Sequence, residues 1–289
     1  MDGVINVYKP KGMTSFDAVK KIRYLSKEKK VGHIGTLDPL ASGILPICLG
    51  KATKIVEYLM SEDKTYNVEL ELGLETDTYD KEGTVISRSS IEHINEEQIK
   101  PIIESFLGEG YQEPPMYSAI KINGKRLYSL AREGIEVERE KRKININYIE
   151  VNYINLPFIS FKVNCSKGTY IRSLCKDIGV KLNCGAVMSK LERESTGKFS
   201  LDNSINLLDL TSENIKDYLL SMEDVISYPI ISVDDKFSKL LINGVTVQDP
   251  ALSEEKLLEN QLYKVFNKSD FIGIGKKYNK GFKIVKLLI

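Results

Sequence analysis

The stretch that decides the fold is GHIGTLDPLASGIL, residues 32–45, which carries a single carboxylate, Asp38. Glycines, a threonine, a proline and aliphatic residues surround this aspartate, and no basic residue lies between His33 and Lys51. Asp38 followed by Pro39 is typical of a helix start, because aspartate caps helices well and proline suits the first helical position. The glycines, however, let backbone come close to this point, and the small residues leave room beside the carboxylate. The stretch therefore leaves two roles open for Asp38, a helix cap or a reacting group held away from water.

The composition is that of an ordinary soluble globular chain. Its 289 residues are 42% hydrophobic and 28% charged, which is enough for one large domain and a second, smaller one. The 41 basic residues nearly balance the 40 acidic ones, and the net charge of +1 argues against a protein that is basic throughout. Local basic patches are compatible with that balance.

Cysteine and histidine usage argues against a metal site and for a reducing compartment. The four cysteines form no CxxC pair, and the two histidines, His33 and His93, cannot make a histidine-rich site. Unpaired cysteines fit a reducing environment. The N-terminal MDGVINVYKP lacks a signal-peptide pattern, and no apolar run approaches the roughly 20 residues that a membrane span needs. The expected location is therefore the cytoplasm, with no membrane contact.

Strand patterns recur along the first 230 residues. TYNVELELG at 65–73 alternates strictly and predicts a strand whose apolar face carries Tyr66. FISFKVNCS at 158–166 predicts a second strand. AIKINGKRLY at 119–128 predicts a hairpin, because Asn-Gly separates two alternating runs.

Helical patterns are mixed with these strands. MTSFDAVKKIRYLSKEKK at 13–30 predicts a helix with Thr14 as N-cap and Asp17 completing a capping box. GTYIRSLCKDIGVKL, directly after the second strand, has helical apolar spacing, and another helix is expected through IKPIIESFL. Because strands and helices do not follow a regular βαβ alternation, the sequence predicts an α+β fold.

The composition changes near residue 230. From Leu262 the chain reads LYKVF, FIGIGKKY and FKIVKLLI, three short alternating runs separated by polar or glycine-containing turns. The sequence therefore predicts a large domain over 1–230 and a small β domain over 231–289.

Positive charge is concentrated in three segments. Residues 9–30 hold eight basic and two acidic residues, residues 264–286 hold seven lysines and one aspartate, and residues 121–143 hold eight basic and four acidic residues. Each segment alone could be a solvated surface. Together, with tyrosines and phenylalanines interleaved, they favour a polyanion partner and in particular single-stranded RNA, which is bound by charge and stacking.

Four motifs resemble those of a known family in their order and spacing. They are KPKGMTSFDAV (9–19), VGHIGTLDPLASGILPICLGKATK (31–54), KTYNVELELGLETDTYDKEG (64–83) and GTYIRSLCKDIG (168–179). The family is the TruB family of bacterial tRNA pseudouridine-55 synthases, and the resemblance covers most of residues 4–200. It implies a pseudouridine-synthase catalytic domain with a mixed, mainly antiparallel central sheet flanked by helices and loops, followed by a small C-terminal PUA-like β domain.

The resemblance implies an isomerase that acts on the T-loop of tRNA. Such an enzyme detaches the uracil at position 55 from its ribose and reattaches it through carbon. No redox or phosphoryl chemistry occurs, so no cofactor and no metal are expected. The implied partner is the tRNA T-stem-loop. We expect a monomer without an obligate protein partner, because no heptad or swapped-strand pattern is visible.

Three residues carry the implied catalysis. Asp38 would be the nucleophile, since a carboxylate can attack either the uracil ring or the sugar and leave again. Arg172, in the GTYIR motif, would lie against Asp38 and keep it ionised, because a carboxylate among apolar groups otherwise tends to hold its proton. Tyr66 would stack on the target base and is a candidate for proton abstraction. The sequence leaves open which centre Asp38 attacks.

The resemblance also implies contacts to the substrate. His33 would touch the RNA beside the extruded nucleotide, and Tyr170 and Leu191 would line the uridine pocket together with the catalytic tyrosine. Lys9 and Lys64 would contact phosphate or have a structural role. Without the resemblance, His33 would be taken for a loop histidine, Tyr170 for a strand-end tyrosine and Leu191 for a helix leucine.

Access to the target base requires that the nucleotide leave its stack, at a cost of a few kcal/mol. The segment EPPMYSAIKINGKRLYSLAREG resembles the family's RNA-gripping insertion, which we place at about residues 112–134. Its Pro-Pro, hairpin and basic residues fit a clamp on RNA, and the three basic segments could supply the energy of base flipping from backbone contacts.

Two other functions remain open. A non-catalytic tRNA-binding or tRNA-folding protein could keep the same fold, and a related pseudouridine synthase could act on a different RNA. Replacing Asp38 by alanine separates the first alternative, because only an enzyme would lose isomerisation while it still binds tRNA.

Overall fold

The computed structural model describes residues 1–122, 124–248, 257–279 and 281–289. The strands in these ranges are β1 Gly3–Lys9, β2 Val31–His33, β3 Ser42–Leu49, β4 Lys64–Leu72, β5 Leu74–Thr76, β6 Val85–Arg88, β7 Gly108–Gln112, β8 Lys121–Ile122, β9 Lys125–Arg126, β10 Arg142–Asn155, β11 Phe158–Cys165, β12 Ala186–Thr196, β13 Phe199–Ser200, β14 Ile205–Asn206, β15 Ile230–Val233, β16 Leu262–Asn267, β17 Asp270–Tyr278 and β18 Gly281–Leu287. The α-helices are α1 Ser15–Ser26, α2 Val56–Leu59, α3 Glu96–Glu104, α4 Leu127–Arg132, α5 Ile171–Lys181, α6 Met222–Val225 and α7 Asp235–Ile242.

Most strands of the first 206 residues belong to one large sheet. Among the described residues its order is β14-β1-β3-β12-β4-β11-β10-β7, with β2 beside β3 and β13 beside β12. Neighbours run antiparallel except at two places, β1 with β14 and β3 with β12, where they are parallel. Helices pack against this sheet, so the predicted α+β fold with a mixed, mainly antiparallel central sheet is confirmed.

Buried apolar side chains hold the helices on the sheet. Ile103 of α3 and Leu174 of α5 pack in one cluster with side chains of β4, β10, β11 and β12, such as Val68. Ile22 of α1 packs in another cluster with β1 and β3 residues, such as Val7. Each side chain of this kind contributes roughly 1.5–3 kcal/mol when it is fully buried. Burial, more than intrinsic helix propensity, therefore stabilises these helices.

Local signals in the sequence located these elements well. The 65–73 and 158–166 patterns correspond to β4 and β11, and the helix expected after the second strand is α5. Thr14 caps α1 with the predicted capping box: its hydroxyl accepts a bond from the backbone N–H of Asp17 at 3.1 Å. The helix ends at Ser26, earlier than the 13–30 pattern suggested, because the next residue adopts a left-handed conformation with φ of 55°.

The 112–134 insertion has a small core of its own. Met116 is buried together with Leu127 and Leu130 of α4. The predicted hairpin is present as β8 paired with β9, through Lys121 with Arg126 and Ile122 with Lys125. The asparagine of its Asn-Gly turn lies outside the described residues.

The parallel contact between β3 and β12 joins the two halves of the large sheet. It is short, with Ser42 opposite Glu192 and Gly43 opposite Arg193. Gly43 has φ of 111°, and a Cβ atom at this position would lie 2.3 Å from the carbonyl oxygen of Arg193. Only glycine allows this approach, so the Gly43 backbone fixes where β12 crosses the end of the Asp38 segment.

A second sheet follows from residue 230 onward. Its order is β15-β16-β17-β18, and it includes the three strands expected from the tail sequence. β15, which the sequence analysis did not single out, pairs with β16 in parallel. Ile274 and Leu288 of this region pack with Ile55 and Val225 in one buried cluster, so the small sheet lies against the larger unit. No helix among the described residues combines the length and the hydropathy that crossing a membrane requires.

Candidate active site

Asp38 lies in a tight turn at the centre of the loop between β2 and β3. The backbone N–H of Ala41 donates to the carbonyl oxygen of Asp38 at 3.1 Å, and Pro39 takes the second position of the turn, where proline is favoured. A β-turn and then strand β3 follow Asp38, not a helix. The helix-cap role that Asp38-Pro39 suggested is therefore wrong, and the carboxylate is available for another partner.

That partner is Arg172. The Oδ2 atom of Asp38 lies 2.9 Å from Nε of Arg172, which is itself buried, whereas about a third of the Asp38 side chain (34%) is exposed. A second carboxylate, Asp80, approaches the same guanidinium, with Oδ2 3.5 Å from Nη1. One arginine therefore bridges two aspartates, and only Asp38 has an open side.

The rest of the guanidinium is held by backbone. Nη1 of Arg172 donates to the carbonyl of Thr78 at 3.1 Å, and Nη2 donates to the carbonyl of Tyr117 in the insertion at 2.8 Å. Arg172 is the second residue of α5, where the helix dipole disfavours a cation by roughly 0.3–1 kcal/mol. The two carboxylates offset this cost.

Asp80 is a functional candidate that the sequence analysis did not identify. Its other oxygen, Oδ1, accepts bonds from the Thr78 hydroxyl at 2.7 Å and from the backbone N–H of Glu82 at 3.1 Å. Burial raises the pKa of the Asp80 carboxyl, while the Thr78 bond and the Arg172 charge act against that rise. The motif ETDTYD contains three acidic residues within six positions, and spacing alone gives no reason to choose Asp80 among them.

Hydrogen bonds from the Ser15 hydroxyl and from the backbone of Gly12 hold the Asp38 turn against the start of α1. The Ser15 hydroxyl accepts from the N–H of Leu37 at 2.8 Å and donates to the carbonyl of the same residue at 2.9 Å. The N–H of Gly12 donates to the carbonyl of Pro39 at 2.8 Å. The residues on both sides of Asp38 are thus fixed, which leaves its carboxylate with few positions to adopt.

Lys9 also holds the Asp38 turn in place, through hydrogen bonds to backbone carbonyls. Its Nζ donates to the carbonyls of Ala41 at 2.6 Å, Met13 at 2.7 Å and Pro10 at 3.0 Å, and the side chain is fully buried. Burial lowers the pKa of Lys9 to about 8, against an opposing effect of the Asp38 charge. Of the two roles expected for Lys9, these contacts favour the structural one over a phosphate contact.

The side chain of Lys64 is also buried and bonded to backbone carbonyls. Its Nζ donates to the carbonyl of Met60 at 3.0 Å and also to that of Glu62. Burial lowers the pKa of Lys64 to about 8, and the charge of Arg193 acts in the same direction. These contacts also favour a structural role.

Tyr66 and Leu191 lie on neighbouring strands of the sheet and are both 8% exposed, so the helix suggested for Leu191 is wrong. Tyr66 in β4 is directly opposite Arg193 in β12, and Leu191 is two residues before that arginine. Burial raises the pKa of the Tyr66 phenol, and the Asp38 charge is close enough to act on it too. The structure therefore brings the phenol and the carboxylate into one region, next to an apolar side chain.

Tyr170 and His33 complete the set of residues expected from the sequence. Tyr170 caps α5, and its backbone N–H and carbonyl are both bonded to the Gln112 side chain, at 2.8 and 3.1 Å. Its phenol lies near Ser118 and within range of the Asp38 charge. His33 ends β2, and its buried ring atom Nδ1 has no hydrogen-bond partner among the described residues. Burial lowers the pKa of His33, and the Arg193 charge acts in the same direction.

The arrangement suits nucleophilic and proton-transfer chemistry on a flat ring. It contains a carboxylate oriented by a guanidinium, a buried phenol and an aliphatic side chain that could contact a ring face. Cationic groups (Lys9, Lys64, Arg172 and Arg193) outnumber the two aspartates. An excess of positive charge favours an anionic substrate and negative charge that develops during a reaction.

Family profiles match most of the chain. The profile described as "TruB family pseudouridylate synthase (N terminal domain)" matches residues 23–171, and the one described as "tRNA pseudouridylate synthase B C-terminal domain" matches residues 172–227.

Full-length relatives carry a consistent description. A protein of Clostridium tetani is 58% identical over 290 residues, covering 100% of both chains, and one of Clostridium acetobutylicum is 52% identical over the same extent. A protein of Dehalococcoides mccartyi is 48% identical over 86% of this chain and 84% of its own. All three are described as "tRNA pseudouridine synthase B".

Solved structures share the fold. A chain in "Crystal Structure of a Cbf5-Nop10-Gar1 Complex" superposes with a TM-score of 0.76 at 26% identity, covering 99% of this chain and 85% of its own. A chain in "Crystal structure of the archaeal box H/ACA sRNP Nop10-Cbf5 complex" has a TM-score of 0.73 at 24% identity, covering 99% and 86%. The similarity includes the second, C-terminal sheet, since nearly the whole chain is covered.

Proposed function

Because the chain belongs to the TruB family of pseudouridylate synthases, we propose that it isomerises a uridine of tRNA to pseudouridine, namely uridine 55 in the T-loop. The observation that carries this proposal is the contact of 2.9 Å between Asp38 and Arg172. It gives the chain an oriented carboxylate with one open side, beside a buried tyrosine, in a region of excess positive charge. These are the groups that a nucleophilic isomerisation of a flipped base requires.

We assign the nucleophile to Asp38 and its orientation to Arg172. Arg172 is held by two backbone carbonyls and a second aspartate, so it cannot turn away from Asp38 without breaking several bonds. A guanidinium fixed in this way supports an ionised and correctly placed carboxylate. Whether Asp38 attacks the ring or the sugar does not affect this assignment.

We assign the uracil pocket to Tyr66, Leu191 and Tyr170, with His33 at its RNA-facing edge. Burial of Tyr66 and Leu191 on adjacent strands supports a flat apolar surface against which a base could stack. The unpartnered Nδ1 of His33 supports a polar contact that RNA would complete.

We propose tRNA over another RNA as the substrate. The support is the 58% identity, over the full length of both chains, to a protein named tRNA pseudouridine synthase B, compared with 26% to the chain from the Cbf5 complex. The identity also favours an enzyme over a non-catalytic binding protein, because the residues of the Asp38–Arg172 pair occur together with Tyr66. We further propose a cytoplasmic monomer that needs no cofactor and no protein partner.

We propose a catalytic domain over 1–230 and a PUA-like RNA-binding domain over 231–289. The second sheet begins with β15 at Ile230, which supports this boundary. A chain that ends at residue 229 should isomerise saturating T-stem-loop but bind it more weakly and melt at lower temperature, because Ile274 and Leu288 no longer cover the shared cluster. Thermal melting and binding titrations measure both effects. An insoluble truncated chain would show that the two parts fold only together.

The test of the catalytic proposal uses an unmodified tRNA T-stem-loop and no cofactor. The wild-type chain should convert the T-loop uridine, mapped by chemical labelling of pseudouridine. Asp38→Asn should slow single turnover by at least about a thousandfold while RNA affinity stays within about threefold. Asp202→Asn, at an exposed aspartate outside the site, is the matched control.

Three other outcomes would change the proposal. Pseudouridine at a different position would redirect the substrate assignment. Near-normal turnover by Asp38→Asn would remove Asp38 as the nucleophile. Equal loss of binding and turnover would give the aspartate a structural role.

A further inference from the structure

Arg193 is a buried charge that the proposed chemistry does not use. It is 1% exposed and is among the largest fully buried side chains of the protein. Within the described ranges, no carboxylate lies within 4.0 Å of its guanidinium. Arginine keeps its charge under all ordinary conditions, and a buried charge without an ionic partner is costly. The cost of this burial points to a role for the charge or for its donors.

Part of that purpose is to hold the loop that carries Asp38. Nε of Arg193 donates to the carbonyl of Ile44 at 2.7 Å, and Nη2 donates to the carbonyl of Gly35 at 3.2 Å. Gly35 is the first residue of the GTLDPLAS segment and Ile44 lies two residues after its end, so one guanidinium spans the loop that carries Asp38. Nη1 is also near Gly35, 3.5 Å from where a Cβ atom would be.

The other neighbour of Arg193 is Tyr66. The two residues are directly opposite in the antiparallel pairing of β4 with β12, and both side chains are buried. Two bonds to carbonyls leave guanidinium N–H groups free for the phenol, since arginine has five donors. Burial raises the pKa of Tyr66, and the charge of Arg193 acts against that rise.

Among the described residues, Arg193 is the charged group that acts to lower the pKa of the Tyr66 phenol. The groups that act on its phenol are Arg193 from β12, Cys165 from β11 and Asp38 from the loop, and the latter two act to raise its pKa. Arg193 itself lies among Lys9, Lys64 and His33, whose pKa values it lowers. Its charge therefore acts on these three basic groups as well as on the phenol.

We propose that Arg193 is a positioning residue that acts through Tyr66, its fixed charge stabilising the phenolate form while its two carbonyl bonds keep the Asp38 loop beside that phenol. This rests on the proposed function. Isomerisation breaks the bond from N1 to C1′, forms the bond from C5 to C1′ and moves one proton from C5 to N1. The Tyr66 phenolate takes the C5 proton, and the C–H electron pair returns to the ring. N1 gains a proton from water, and the phenol returns its proton to water.

The test replaces Tyr66 by 3-fluorotyrosine, whose phenol is more acidic, in the wild-type, Arg193→Lys and Arg193→Gln proteins. Arg193→Lys keeps the buried charge but loses the planar guanidinium that bonds both carbonyls. Arg193→Gln keeps hydrogen-bond donors but loses the charge. Single turnover on the T-stem-loop should fall by at least about tenfold in Arg193→Gln, with RNA affinity unchanged. Fluorotyrosine should restore rate in that variant several-fold more than it changes the wild-type rate. Arg88→Gln, at an exposed arginine of β6, is the control for replacing an arginine by glutamine.

A direct measurement keeps the proposal testable without turnover. The fluorine NMR shift of residue 66 should titrate at higher pH in Arg193→Gln than in the parent, with Arg193→Lys between them. The proposal would be overturned if the fluorine shift of residue 66 titrated at the same pH in all folded variants. It would also be overturned if fluorotyrosine changed the single-turnover rate equally in the wild-type and variant proteins, and Arg193 would then have only a packing role. Full activity in Tyr66→Phe would instead remove the proton-transfer role of Tyr66, and an inactive wild-type chain would remove the proposed function itself.

Discussion

Lys9 shows how a single residue connects the stability of the protein with its site. Its ammonium is fully buried and has three carbonyl partners, one of them Ala41 at the end of the Asp38 turn. Carbonyl dipoles only partly replace the water that the charge has lost. The folded protein therefore keeps this lysine at a cost, in exchange for a fixed turn.

The cost of burying the Lys9 charge predicts that the stability of the protein rises with pH above about 8. The pKa of Lys9 falls from 10.5 to about 8 on folding, so between these values the unfolded chain holds a proton that the native chain has released. The contribution of Lys9 to the free energy of unfolding should therefore rise with pH above about 8, by up to about 1.4 kcal/mol per pH unit. Below pH 8 the contribution is constant and unfavourable.

Denaturant unfolding of the wild-type and Lys9→Met proteins between pH 7 and about 10 measures this effect. The difference in unfolding free energy, wild type minus variant, should grow as the pH rises through 8. The exposed Lys29→Met controls for loss of one positive charge. A difference that stays constant over this range would contradict the prediction.

At the scale of elements, the contact between β3 and β12 decides the position of the site. It places Gly43 against Arg193, and Arg193 lies opposite Tyr66 on the next strand. The Asp38 turn leads directly into β3, so the carboxylate and the phenol come together because three strands from distant parts of the chain are adjacent. Four motifs separated in the sequence thus form one site.

A methyl group at residue 43 should disrupt this junction. The φ of 111° is unfavourable for any side chain, and a Cβ would lie 2.3 Å from the Arg193 carbonyl oxygen, a backbone atom that cannot move freely. Gly43→Ala should lower the free energy of unfolding by about 2–5 kcal/mol and reduce turnover. Gly32→Ala, where nothing lies within 4 Å of a new Cβ, is the matched control. Similar urea midpoints for the two variants would show that the junction tolerates a side chain.

At the scale of the whole molecule, the three basic segments are not equally free to bind RNA. In the tail, Lys286 pairs with Glu57 at 2.7 Å and Lys268 with Asp235 at 3.1 Å, while Lys264 donates to a carbonyl at 2.9 Å. Lys280 of this segment lies outside the described residues. In contrast, Arg23 and Lys29, in and just after α1, are exposed at the surface. Of these two segments, the α1 segment is therefore the better candidate for phosphate contacts, through Arg23 and Lys29.

Charge reversal on α1 tests this ranking. Arg23→Glu should weaken T-stem-loop binding several-fold at low salt and reduce the dependence of log Kd on log salt by about one unit, since each phosphate contact releases roughly one counterion. Lys100→Glu makes the same change of net charge on α3, outside the basic segments, and should leave both values unchanged. Binding titrations at several salt concentrations measure both. Equal effects of the two substitutions would show that only net charge matters.

Much of the fold could be predicted from the sequence, because the signals for it are local. The alternation of 65–73, the capping box of Thr14 and Asp17 and the tail strands all depend on neighbours within a few residues. β15 was missed because a four-residue parallel strand has too short a pattern to stand out. The helix start at Asp38 was suggested by propensity, but the packing of Lys9, Ser15 and Arg193 around the turn determines its backbone.

By itself, the sequence determined the family, the α+β class and the candidates Asp38, Tyr66 and Arg172, since these lie in ordered motifs. Only the tertiary structure decided that Arg172 also meets Asp80, and that Arg193 is enclosed between the Asp38 loop and Tyr66. The physical reason is that burial and electrostatic environment depend on strands that are distant in the chain. A charged residue in an alternating strand has the same appearance in the sequence whether it faces water or a reacting group.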